Sequence, residues 1–244
     1  MKIDVVLTAQ QVEKEQVQGK TVVVIDVLRA TSVMLTAFKF GVSDIIPVLT
    51  PDEAIALKLK RGGNVILGGE RNAELISGFD FGNSPLSYMH HGIKGKTLVM
   101  TTSNGTLAIN NSLSAKELLI GAFSNLSALV KYLNGKDDVV LVCSGTNGKF
   151  TIEDALCAGK IIEGLKAISN NIDLSDAALM LHQMASVSHQ ELISIASGGY
   201  HYNVLKEKGY EADLDYCFQI DQVPILAIWE GDSIKCTTGT NDLL

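Results

Sequence analysis

Proline is scarce, at four residues in a chain of 244, and no low-complexity tract or linker-like stretch interrupts the sequence. Such a chain has few enforced breaks and shows no sign of a flexible join between separate modules. Cysteine is equally scarce. Cys143, Cys157, Cys217 and Cys236 form no C-x-x-C pair and no zinc-finger spacing, so free, reduced thiols are expected. Long hydrophobic runs are missing too: no window approaches the ~18 apolar residues of a membrane span. The opening MKIDVVLTAQQVEKE turns charged at once, unlike a signal peptide. A cytoplasmic protein with no membrane partner is expected. Charged residues make up only 19%, and the net charge is −7. A surface of that sign repels nucleic acid and anionic lipid, so neither is an expected partner. An anionic small molecule would need a local pocket of Arg, Lys, backbone N–H groups or a metal.

What is present is apolar mass. Hydrophobic residues reach 46%, enough to bury a sizeable core. The expectation is a single α/β domain over 1–244, or two intimately packed α/β lobes with the site between them. Short apolar runs at 3–7, 21–27, 44–48, 65–69, 97–101, 117–121 and 139–144 read as strands. VVVI, LVM and VVLV are continuous rather than alternating, as in strands buried on both faces. Between them, Ala30, Val33, Met34, Ala37 and Phe38 have the spacing of an amphipathic helix. Thr50-Pro51-Asp52-Glu53 carries an N-cap, a proline at the first helical position and a capping-box acid. From about 172 to 218 the pattern is helical, and 223–237 reads as two strands joined at Glu230-Gly231-Asp232. The predicted fold is a three-layer α/β/α core with a largely parallel or mixed sheet, a helical segment and a C-terminal β-hairpin.

Three times an apolar strand runs into a small polar loop and then a helix: TVVVIDVLRATS, TLVMTTSNGT and VVLVCSGTNGKFTIED. Ligands of open α/β sheets bind outside the carboxyl ends of the strands. Loops of Gly, Ser, Thr and Asn there let the backbone approach an oxyanion. The substrate-binding candidates are therefore Thr31, Asn83, Thr102, Ser103, Asn104, Gly105, Thr106, Gly145, Thr146, Asn147 and Gly148, although each loop read alone is also an ordinary turn. Asp26 ends a strand of Val and Ile, where a bare carboxylate is costly. It is either a helix N-cap or a metal ligand or nucleophile. Gly68-Gly69 would let Glu70 and Arg71 approach a ligand, with Arg71 free to grip an oxyanion. Asp80 and Asn83 lie in GFDFGNSP among apolar residues. Glu153 and Asp154 sit in a first helical turn, where acids are favoured structurally and could also hold a metal. Cys143 has Lys149 where a cysteine phosphatase needs arginine, so a core thiol is expected. The five histidines show no metal-binding spacing.

In order and spacing, VIDVLRAT, GGER, GFDFGNSP, TTSNGT, GTNGKFTIEDALCAG and DLDYCFQID…VP resemble the 2-phosphosulfolactate phosphatases, from about Val22 to Pro224. The resemblance implies Mg²⁺-dependent hydrolysis of 2-phospho-3-sulfolactate to 3-sulfolactate and phosphate, which in methanogens is a step toward coenzyme M. It implies an α/β fold distinct from the haloacid dehalogenase phosphatases, whose D-x-D is broken here by Asp26-Val27-Leu28. Function is implied at Asp26 and Arg29, Glu70 and Arg71, Asp80 and Asn83, and the loops 102–106 and 145–154. One departure is Asn72-Ala73, where the family often has two glycines. The expected catalytic residues are Asp26, Arg29, Arg71 and Asp154. The expected Mg²⁺ ligands come from Asp26, Glu70, Asp80, Glu153 and Asp154. The nucleophile is a metal-activated water or a carboxylate. The expected partner is a small anionic phosphoester, and a homo-oligomer is compatible with this surface. The competing reading is a non-catalytic binding module for an anionic metabolite.

Overall fold

The computed structural model describes residues 1–237. The seven apolar runs fold as strands, each within two residues of the bounds read from the sequence, and four further strands join them. In chain order they are β1 Lys2–Val6, β2 Thr21–Ile25, β3 Asp44–Pro47, β4 Val65–Arg71, β5 Glu74–Leu75, β6 Thr97–Thr101, β7 Glu117–Gly121, β8 Asp138–Cys143, β9 Asp173–Leu174, β10 Leu226–Glu230 and β11 Ser233–Thr237. The helices are α1 Lys14–Val17, α2 Ala30–Lys39, α3 Pro51–Arg61, α4 Gly105–Asn111, α5 Leu126–Leu133, α6 Ile152–Ile168, α7 Asp176–Ala185, α8 His189–Ser197, α9 Tyr200–Glu207 and α10 Glu211–Cys217. No helix among the described residues is long and apolar enough to cross a membrane.

All strands share one mixed sheet, ordered β5-β4-β6-β3-β11-β10-β7-β2-β8-β1-β9. Strands β4, β6 and β3 run parallel in one half, and β7, β2, β8, β1 and β9 in the other. The C-terminal hairpin β10–β11 is the antiparallel wedge between the halves. It is registered by Ile228 opposite Leu119 and by Ile234 opposite Ile45. The continuous apolar runs follow from burial on both faces. On β2, Val23 and Ile25 enter the core under α6, while Val22 and Val24 enter the core around α2.

Helix α2 differs from its expected amphipathic character. Every residue from Ala30 to Phe38 is buried, including Thr31, Ser32 and Thr36. Their hydroxyls are satisfied locally: Ser32 Oγ donates to the Val27 carbonyl at 2.8 Å and Thr36 Oγ1 to the Ser32 carbonyl at 2.8 Å. Polar residues that can bond to their own helix backbone tolerate the interior, which makes the spacing look one-sided when the environment is not.

The sheet order places β6 and β2 five strand steps apart, about 24 Å if flat. Yet a Cβ on Gly105, just past β6, would lie 2.6 Å from Asp26 Oδ2, just past β2. The sheet therefore curls around α2 and brings the carboxyl ends of its two halves together.

Candidate active site

Asp26 follows β2 and is 8% exposed. Its backbone is locked by Thr31, whose hydroxyl accepts from Asp26 N at 3.0 Å and donates to Asp26 O at 2.7 Å. Its Oδ1 accepts from Ala30 N at 3.0 Å and starts α2. The capping alternative is seen directly, since Oδ1 caps a helix, while Oδ2 accepts no hydrogen bond among the described residues. Asp26 faces a cavity of about 240 Å³ that is also lined by Arg29, Glu70, Asn83 and the loops after β6 and β8. Thr31 is fully buried and acts through Asp26, not as a wall of the cavity.

Arg29 is 2% exposed and is held by residues the sequence reading did not select. Its Nη1 donates to Asp213 Oδ2 at 2.5 Å, and Ser84 Oγ donates to the other Asp213 oxygen at 2.7 Å. The guanidinium lies 3.9 Å from the Tyr210 ring centroid, a cation–π contact. His201 lines the same cavity, and its Nε2 donates to the Leu28 carbonyl at 2.9 Å. Burial pushes its imidazole below the usual range, which favours the neutral ring. Helix α9 thus supplies one wall, through Tyr200, His201, Val204 and Leu205, with Lys208 at its end.

The second and third loops meet where Asn147 N donates to Asn104 Oδ1 at 3.1 Å. Thr102, Ser103, Asn104, Gly145, Thr146 and Asn147 line the cavity. Many of their amides are committed to holding the loops. Thr102 N donates to Thr106 Oγ1, and Thr106 N donates to Thr102 Oγ1. Ser103 N donates to Glu70 Oε1 at 2.8 Å, and Gly145 N to Asp154 Oδ2 at 3.0 Å. The loops are pre-formed by these bonds, and Thr106 shapes its loop from a fully buried position. Gly105 is required by crowding, since a Cβ there would also lie 2.6 Å from the Ala30 Cβ. Gly148 is not among the cavity residues; with φ 72 it makes the turn of its loop. Asn83 lines the cavity, is 8% exposed, and its Oδ1 has no partner among the described residues.

The acids separate by environment. Glu70 braces two segments, accepting from Ser103 N and, at Oε2, from Ala73 N at 2.7 Å. Asp154 accepts from Val27 N at 2.9 Å, Gly145 N and Thr151 Oγ1. Glu153 is 2% exposed, its Oε2 has no partner among the described residues, and it lines an adjoining cavity that shares Thr146, Asn147, Tyr200 and His201.

Asp154, like Thr31, Gly105, Thr106 and Gly148, is not among the cavity-lining residues, and two further expected site residues, Arg71 and Asp80, are held away by other partners. Arg71 turns away: its Nη2 donates to Leu49 O and Thr101 Oγ1, both at 2.9 Å. Asp80 is tied to Lys58 Nζ at 2.6 Å and Leu67 N at 2.7 Å. Gly68-Gly69 serves close packing rather than a ligand, since a Cβ on Gly69 would sit 1.9 Å from the Thr101 carbonyl. Cys143 is fully buried and also absent from the cavity wall. Burial, with Asp154, Cys157 and Glu153 adding to it, pushes its thiol well above the usual range.

Burial and mutual repulsion raise the carboxylates together. Asp26 rises to about 8, mainly by burial and then by Asp154, against the opposing Ala30 N–H and Arg29. Glu153 and Asp154 rise to about 7, again mainly by burial. This cluster needs protons or a cation near neutrality. Among the described residues no three His, Cys, Asp or Glu side chains form a complete metal cage. Mg²⁺ does not require one, because it commonly takes one or two carboxylates and fills its shell with waters and phosphate oxygens. The open Asp26 Oδ2 and the unpartnered Glu153 Oε2 fit that demand.

Buried acids, a fixed arginine and pre-formed polar loops gather at the strand ends of an α/β fold, an arrangement suited to a small anion. A sequence model described as 2-phosphosulpholactate phosphatase matches residues 6–232. The chain is 44% identical over 227 residues to a probable 2-phosphosulfolactate phosphatase of Clostridium novyi (strain NT), covering 93% of this chain and 96% of that one. It is 41% identical over 242 residues to a protein of the same description from Clostridium beijerinckii, covering 97% and 100%. The chain belongs to the 2-phosphosulfolactate phosphatase family and is a phosphoric monoester hydrolase.

Proposed function

We propose that this chain hydrolyses 2-phospho-3-sulfolactate to 3-sulfolactate and phosphate and that it requires Mg²⁺. Water adds across the ester: the phosphorus–oxygen bond to the lactate carbon skeleton breaks, the leaving oxygen takes a proton, and phosphate departs. The observation that carries this reading is Asp26, a buried carboxylate raised to about 8 with an open oxygen on a cavity that also holds Arg29. Family membership and the relatives' names support the substrate.

In this reading Arg29 binds the phosphoryl oxygens through the N–H groups that Asp213 leaves free. Asp213 and Tyr210 are positioning residues that fix its plane. Asn83 offers its amide to the ligand, and the braced loops keep the cavity shaped before substrate arrives. Asp26 and Glu153 would hold the metal. The chemistry such an ion brings is neutralisation of charge on the transferring phosphoryl group. The attacking group is water or the Asp26 carboxylate. A substrate chiral at phosphorus separates them, by inversion for one direct displacement and retention for two.

Phosphate release from 2-phosphosulfolactate, with Mg²⁺ and with excess chelator, tests the proposal. Turnover with Mg²⁺ that chelator abolishes supports it. Equal rates in both would remove the metal from the reading, and tight binding without turnover would leave a binding module.

A further inference from the structure

One arginine and one lysine line the cavity among the described residues, Arg29 and Lys208. They differ in how they are held. Arg29 is buried and already balanced by Asp213 under the Tyr210 ring. Lys208 caps the C-terminal end of α9 and is 33% exposed. It donates to Glu74 Oε1 at 2.8 Å, and that carboxylate is 73% exposed. Solvated pairs of this kind contribute little and exchange readily.

Glu74 is held across from Lys208 by its own segment. The Asn72-Ala73 turn has φ 56 and 63, a left-handed conformation that side chains other than glycine disfavour. The turn is pinned by Ala73 N to Glu70 Oε2 at 2.7 Å and by the Tyr210 hydroxyl donating to Ala73 O at 3.2 Å. Glu74 follows directly and begins β5. A displaceable ion pair therefore stands at the cavity on two anchored elements.

An anionic ligand with its phosphate at Arg29 has acids Asp26 and Glu70 on the same floor. With Arg29 and any ion at Asp26 engaged by the phosphate, a further negative group on the ligand's skeleton is left to another cation. It is drawn toward Lys208, the one lysine among the described lining residues, beside Val204 and Leu205. We propose that Lys208 is the specificity-determining cation of this site, exchanging Glu74 for a second acidic group, a carboxylate or sulfonate, on the phosphoester. The proposal rests on the phosphatase reading above.

Three esters separate the groups: 2-phosphosulfolactate carries carboxylate and sulfonate, 2-phospholactate carries the carboxylate alone, and isopropyl phosphate carries neither. In Lys208→Met, the ratio of kcat/KM for 2-phosphosulfolactate to that for isopropyl phosphate is expected to fall about tenfold or more, mostly through KM. Lys208→Arg should restore most of it. The 2-phospholactate arm tells which acid Lys208 holds. Glu74→Gln, which removes the competing anion, should lower KM for the acidic esters. An unchanged ratio in Lys208→Met overturns the proposal, and a Glu74→Gln variant with unchanged or raised KM overturns the exchange. If the wild-type protein with Mg²⁺ turns over none of the three, the phosphatase reading fails separately. Lys208 is then judged by calorimetric binding of 3-sulfolactate: about tenfold weaker binding in Lys208→Met supports the role, and equal affinity refutes it.

Discussion

Arg29 and Asp213, 184 positions apart in the chain, meet as a buried ion pair at 2.5 Å, with side chains 2% and 3% exposed. Arg29 belongs to the turn after β2, and Asp213 to α10 in the late helical segment. The pair thus ties the helical segment to the sheet edge and fixes the guanidinium beside Asp26. Removing one member leaves the other charged and buried. Asp213→Ala is expected to cost about 3–5 kcal/mol of stability and to lower kcat/KM at least about tenfold by freeing the guanidinium. Asp213→Asn, which keeps an acceptor, should lose less of both. Urea denaturation and phosphate release measure the two effects; full activity in Asp213→Ala would show that Arg29 needs no positioning.

Cys143→Ser is expected to keep activity within about tenfold of wild type. The thiol is fully buried, raised well above its usual range and absent from the cavity wall. The cost should appear in stability, about 1–3 kcal/mol for a hydroxyl placed among apolar neighbours. A folded variant slowed more than a hundredfold, about 2.7 kcal/mol of transition-state stabilisation, would make Cys143 a participant.

At the opposite sheet edge, Glu117 accepts from Tyr132 at 2.7 Å, from Lys136 at 2.8 Å and from Thr21 at 2.8 Å. Burial opposes its charge, but these bonds outweigh burial and hold its pKa down at about 2, against an ordinary 4.5. A depressed carboxylate contributes stability that is complete above the unfolded value and lost as pH falls through the folded one. Wild type and Glu117→Gln are therefore expected to differ most above about pH 5 and to converge toward pH 2. Thermal melts across that range check it; a constant difference would show that the charge is not what stabilises.

Much of the fold was legible because burial writes itself locally. VVVI and VVLV read as strands since both their faces meet helices, and Glu230-Gly231-Asp232 marked the hairpin turn. The position of that hairpin was not legible, because nothing in Leu226–Glu230 names Leu119 as a partner. The site divided in the same way. Asp26 showed itself as an acid closing a strand otherwise made of Val and Ile. Asp213, Tyr210, His201 and Lys208 sit in an ordinary helical pattern, and their relation to Arg29 exists only after the chain returns. Arg71 and Asp80 illustrate the converse. Each lies near the other candidates in sequence, yet tertiary partners, Leu49 and Thr101 for one and Lys58 for the other, turn them from the cavity. DLDY, in the last segment of the family resemblance, was the signal that could have singled out Asp213.

Asp26→Asn separates the two functions of that side chain. Asparagine keeps the volume and the Oδ1 acceptor for Ala30 N, so the start of α2 should survive. It removes the charge, and with it any hold on a metal or the phosphoryl group. Activity is expected to fall about 10³-fold. Stability in chelator should move the other way. The folded value of Asp26 is raised from an ordinary 3.8 to about 8, so folding favours the protonated acid. Its contribution is complete below about pH 4 and is lost as pH rises toward 8. Asparagine does not titrate, so the metal-free variant should gain on wild type steadily between pH 4 and 8. Added Mg²⁺ should stabilise wild type at pH 8 and the variant much less, because ligand-linked stability follows affinity. Melting temperatures at pH 5 and 8, each with Mg²⁺ and with chelator, give all four terms. A variant that stays active but melts far lower at both pH values would make Asp26 a helix cap alone and move the metal assignment to Glu153 and Asp154.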